Sequence, residues 1–223
     1  MASKDLTVVR TLVRTPLRLI GIGGAVLAWV VIYLAVQRNP WFIVTEHAFS
    51  DLGGPLASDP GFFNTGLIGL GGLFSLYALT LIQDATNKVE AVGGAFAFLA
   101  GVFLTLIGVY PSGTAPHAFV SLWFFVQADL AITAWGIGMF LSGWDWVGAI
   151  CIGLGVGGPL IAVAAPWPSL AVVEAFGIAV IDVWVALMLR VHYVRLRRPP
   201  AYSCKTRRAA DPDCWRSTCG WTR

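Results

Sequence analysis

Residues 19–36 read LIGIGGAVLAWVVIYLAV, a run without a single charge. A helix needs about 20 predominantly apolar residues to cross the hydrocarbon core of a bilayer, and this run meets that length. Scanning outward finds five more. The six predicted spans lie at about 17–37, 61–83, 90–110, 117–141, 146–165 and 169–190. Backbone polar groups in lipid must be satisfied within the segment, so these runs are predicted to be helices. The alternating pattern of a membrane barrel is absent. Composition agrees: 57% of residues are hydrophobic and 12% charged, with mean hydropathy +0.74. A soluble domain carries about a quarter charged residues, so the soluble classes are excluded in favour of an integral membrane protein.

Charge placement gives an expected orientation. Lys4, Arg10, Arg14 and Arg18 precede the first run, Lys88 falls between spans two and three, and Arg190 opens a basic tail. Of 15 Lys and Arg, only Arg38 falls on the other side. Positive residues stay inside, so both termini are expected in the cytoplasm of a multi-pass protein of the cell membrane. The basic start followed by an apolar run has the outline of a secretory signal. The run is membrane-length, however, and no small-x-small cleavage site follows, so it is read as a retained first span. The chain therefore divides into a six-helix transmembrane domain, 1–198, and a basic cytoplasmic tail, 199–223, without periodicity. That tail is expected to be disordered or to lie on the inner leaflet, where its charge attracts anionic lipid. Membrane lipids, partner membrane proteins or further copies of the chain are the expected partners, and nucleic acid is not. Cys151, Cys204, Cys214 and Cys219 lack ligand-grade spacing, so neither a disulfide framework nor a cysteine zinc site is indicated.

Local chemistry marks the boundaries. Ser58-Asp59-Pro60 offers an N-cap followed by proline at the first helical position, as do Thr114-Ala115-Pro116 and Pro166-Trp167-Pro168-Ser169. Trp41, Phe42, Trp167, Trp144 and Trp146 sit where aromatic belts are expected. Glycine concentrates in spans two, three and five, which predicts close helix packing there. Pro159 is expected to kink or break span five.

The densest polar cluster is Glu46-His47-Ala48-Phe49-Ser50-Asp51-Leu52-Gly53-Gly54-Pro55, between the first two spans. Topology gathers Tyr110, Ser112 and His117 at the same end. If the segment near residue 47 is helical, His47 and Asp51 stand at i, i+4 and share a face. Such a pair ligates a metal, or Asp51 orients the His47 imidazole for acid–base work. His47, Asp51 and His117 are then the candidate metal ligands, with zinc as the metal, and Ser50 and Glu174 assist catalysis. The alternative is architectural: Ser50 and Asp51 before Leu52-Gly53-Gly54-Pro55 are also good turn and capping residues. His192, among arginines at the opposite end, is expected beside lipid headgroups.

Three acids fall inside the spans: Asp129, Glu174 and Asp182. Acids in lipid are costly and face the bundle interior or a wet cavity. At about 1.5 Å per residue, Glu174 lies roughly 8 Å deep, and Asp129 and Asp182 roughly 18 Å. The two aspartates are expected to share a proton, or to pair with Gln127 and Thr133 through water.

Phe49-Ser50-Asp51-Leu52-Gly53 after span one, Phe63-Asn64-Thr65-Gly66-Leu67 entering span two, and Gly108-Val109-Tyr110-Pro111 with His117 entering span four together resemble a prokaryotic membrane family, domain of unknown function 998. The resemblance covers about residues 17–195 and implies an all-α bundle of six helices without specifying an activity. Three functions are compatible with the residues. The first is a lipid- or partner-binding membrane module with a polar site at the outer face. The second is a metal-dependent hydrolase or transferase acting on an outer-leaflet lipid. The third is a proton-coupled transporter using the intramembrane acids.

Overall fold

The structure, a computed structural model, describes the backbone of residues 2–197 and the side chains of residues 19–195. The basic tail and three of the four cysteines lie outside the described residues, as does the end of the predicted transmembrane domain at residue 198. Six α-helices follow in order: α1 (Ala2–Arg38), α2 (Pro60–Asp84), α3 (Lys88–Val109), α4 (His117–Leu141), α5 (Asp145–Ala164) and α6 (Leu170–Arg197). All six are long and apolar enough to cross a membrane, α1 through its segment Leu19–Arg38, and no strand occurs among the described residues. The one element not expected from sequence is a short 3-10 turn, Phe49–Gly53, between α1 and α2.

Capping residues set the ends. Asp59 caps α2 by accepting from Phe62 N–H, with Pro60 in the first turn. Ser169 caps α6 by accepting from Val172 N–H at 3.3 Å. Thr114 does not cap α4: its hydroxyl donates back to Pro111 O at 2.8 Å, and the helix starts after Pro116 without a side-chain cap. Gly113, at φ +93°, turns the chain there in a conformation that favours glycine. Pro159 does not break α5, which runs unbroken through it to Ala164.

Glycine decides which helices touch backbone to backbone. A Cβ on Gly101 of α3 would stand 2.8 Å from Gly71 O of α2. On Gly93 it would meet Ala131 O of α4 at 3.0 Å, and on Gly148 of α5 it would meet Gly136 O of α4 at 2.8 Å. Helices α2, α3, α4 and α5 therefore pack in chain order through surfaces with no room for a side chain, the way membrane helices approach without a hydrophobic drive. Gly153 and Gly157, on the same α5, meet nothing within 4 Å.

A buried polar knot holds α3 against α4 at the end carrying the α2–α3 connection. Asn87 caps α3 by accepting from Val89 and Glu90 N–H, and its amide donates to Gly138 O and Ser142 Oγ, both at 2.9 Å. Glu90, fully buried, accepts from Thr86 N–H at 2.7 Å and from its hydroxyl at 3.0 Å. Helices α1 and α6 associate differently. At the opposite end, Val31, Ile32, Ala35, Phe49, Leu52, Phe63, Leu70 and Ala171 form one apolar cluster, so the 3-10 turn is wedged among α1, α2 and α6.

Candidate functional site

Asn39 ends α1 and organises the connection that follows. Its amide donates to Ala35 O, and its Oδ1 accepts from Trp41 Nε1 at 3.1 Å and Ser58 N–H at 2.8 Å. Between these ties the chain turns inward, and Leu52 is completely buried. Asn64 of α2 donates to Gly53 O at 3.0 Å and fixes the exit of the turn.

The candidate residues divide into two groups. His47 is in a tight turn, not a helix: its Nδ1 accepts from Ile43 N–H at 2.9 Å. Its ring lies against Trp41 and Phe42, at centroid distances of 5.1 and 5.7 Å. Ala48, extended at φ −107° and ψ 149°, separates it from the 3-10 turn, so His47 and Asp51 share no helical face. Asp51 accepts from Ala48 N–H at 2.9 Å and from Ser112 Oγ at 3.2 Å. It thereby closes the turn and joins the α1–α2 connection to the α3–α4 connection. His117 Nδ1 donates to Tyr110 O at 2.8 Å, and its Nε2 stands 3.4 Å from Ser121 Oγ. Each of the three expected metal ligands is thus engaged locally. Among the described residues no group of three or more His, Cys, Asp or Glu is placed to hold a metal ion. The donors for zinc do not converge, and the expected His47–Asp51–His117 set is not assembled. Asp51→Ala is expected to lower stability by about 1 kcal/mol, the usual worth of a capping carboxylate, read as a downward shift of the unfolding midpoint in detergent. Asp51→Asn should recover part of the loss.

The second group faces a cavity. Glu174, on the first turns of α6, accepts from Phe49 N–H at 2.6 Å and also interacts with Ser50. Ser50 and Glu174 both line a half-open pocket between α1, α2, α3, α4 and α6. Deeper in the same space is Asp182, whose Oδ2 accepts from Trp29 Nε1 of α1 at 2.8 Å. Asp129 is not part of this lining. Its carbonyl backs onto Gly155 of α5, whereas Asp182 meets α1, so the two aspartates are not brought to one site. Gln127 Oε1 is buried without a direct hydrogen-bond partner.

Small residues of α1 border the cavity, and Gly21 among them also packs against the Tyr77 ring of α2. Gly21, Gly24, Ala25 and Ala28, at i, i+3, i+4 and i+7, form one stripe of the lining. Opposite stand Phe63, Leu67, Leu70 and Phe74 of α2 and Phe124 and Phe125 of α4. From α6, Glu174, Ile178, Ile181, Asp182 and Val185 also follow helical spacing. Sequence reasoning missed the α1 stripe and Trp29. The glycine–alanine spacing was the available signal.

Together these features define a polytopic helical membrane protein with an apolar, carboxyl-bearing cavity inside the bundle. Residues 22–191 match the family described as Protein of unknown function (DUF998), and the chain belongs to that family. No curated protein and no solved structure matches the chain.

Proposed function

We propose that this protein is a lipid-binding module of the cell membrane that holds a lipid chain in the cavity between α1, α2, α4 and α6. The observation that carries this reading is the cavity itself, apolar along its length with a few polar groups gathered on it, which is the usual make-up of a ligand site. The asymmetry of Lys and Arg supports cytoplasmic termini, which would set the 3-10 turn and Glu174 at the outer leaflet. The hydrolase alternative gains no support, because its proposed metal ligands are spent on separate local contacts.

The test is the lipid that accompanies the purified protein. Gly24 lines the cavity, and a Cβ added there meets nothing within 4 Å, so Gly24→Leu fills the space without a clash at that atom. Wild-type protein washed in detergent should carry lipid in nearly stoichiometric amount by mass spectrometry of its organic extract. Gly24→Leu, with an unchanged unfolding midpoint, should lose most of it. Equal lipid in the two proteins would refute the reading.

A further inference from the structure

Resting on that reading, we infer the chemical class of the ligand: a single-chain lipid with a cationic head, a long-chain amine, seated with its nitrogen at Glu174 and Ser50. Length argues for one chain. Along α6 the lining runs from Glu174 to Val185, about 16 Å at the helical rise, which is half the thickness of the hydrocarbon core. That is the depth of one leaflet. Charge argues for the head. Among the described residues the lining holds two carboxyl groups, Glu174 and Asp182, and no Lys, Arg or His.

The surroundings of Glu174 reinforce the sign. Asp51 lies near enough to add its own negative field to Glu174. Glu46 and Asp59 stand exposed in the same connection. Arg38, the one Lys or Arg at this end among the described residues, is engaged elsewhere: its guanidinium donates to Leu34 O and lies 4.1 Å from the centre of the Phe62 ring. A phosphate or carboxylate head would be buried beside like charge with no partner, a costly arrangement. An ammonium donates three hydrogen bonds and finds acceptors in the Glu174 carboxyl and the Ser50 hydroxyl. Glu174 keeps some acceptor capacity for this, because a carboxylate has about four lone-pair sites, of which Phe49 N–H takes one and the backbone and hydroxyl of Ser50 draw on others.

The experiment offers hexadecylamine and palmitate, equal in chain length and opposite in charge, to the full-length protein in phosphatidylcholine nanodiscs. Native mass spectrometry counts what is retained. Wild type is expected to retain the amine at least about tenfold over palmitate, a difference of about 1.4 kcal/mol. Glu174→Gln keeps an acceptor for Phe49 N–H and removes the charge, and it should narrow that ratio severalfold. Gly24→Leu should retain neither. Palmitate retained as well as the amine, with Gly24→Leu excluding both, would overturn the amine inference and leave the lipid cavity standing. A ratio unchanged in Glu174→Gln would likewise overturn it, since the bilayer and not the site would then be selecting. Retention equal in wild type and Gly24→Leu would overturn the cavity reading itself.

Discussion

Gly148→Leu should destabilise the bundle by about 3 kcal/mol, the upper end of what overpacking costs, while Gly157→Leu on the same helix should change stability by only a few tenths. The contrast follows from what each new side chain meets. At Gly148 the first added carbon would fall 2.8 Å from Gly136 O and 2.8 Å from Phe140 N of α4. These are backbone atoms held in a helix and cannot rotate aside, so α4 and α5 must separate. At Gly157 the same carbon meets nothing within 4 Å. Unfolding in detergent, followed by circular dichroism, compares the two directly. Equal midpoints for the pair would mean that α4 and α5 do not pack through glycine.

Asn87→Ala should cost about 2–4 kcal/mol, more than a simple helix cap, because one side chain serves two helices. It caps the start of α3 and donates to Gly138 O and Ser142 Oγ near the end of α4. Removing it leaves the Val89 and Glu90 N–H groups without their cap and takes away both of its bonds to α4. Asn87→Asp keeps the acceptor for Val89 and Glu90 N–H but loses both donated bonds and sets a second carboxylate beside buried Glu90. Its loss should therefore approach that of Ala. Thermal unfolding of the three proteins checks the order, and full recovery in Asn87→Asp would show that the cap alone matters.

The helices were legible because a bilayer imposes one length and one polarity on whatever crosses it. Each span is a long apolar run, and Asp59-Pro60 and Ser169 mark the starts of α2 and α6. The close packing predicted from glycine in spans two, three and five is what Gly71, Gly101 and Gly155 provide, while Gly69, Gly72, Gly153 and Gly157 meet nothing within 4 Å. Inside the connections the same method lost resolution. Asp51 can read as ligand or cap from sequence alone, since both roles need a short acidic side chain near backbone N–H groups. The choice depends on Ala48, whose extended backbone cannot be inferred from an alanine. The link between Glu174 and Phe49 N–H joins positions 125 residues apart and has no local signature. The cavity was invisible for a related reason. It is bordered by Gly24, where an added Cβ would meet nothing within 4 Å, and small residues in a membrane helix ordinarily signal contact with a neighbour, as Gly21 does against Tyr77.

The Glu174 carboxyl holds the backbone of the 3-10 turn and also lines the cavity. Docking of the turn and filling of the cavity therefore draw on one group and share a coupling free energy. Such coupling is reciprocal. On the proposed reading, the factor by which a seated turn raises affinity for a ligand in the cavity is the factor by which that ligand favours the seated turn, so the surface loop and the interior report on one another.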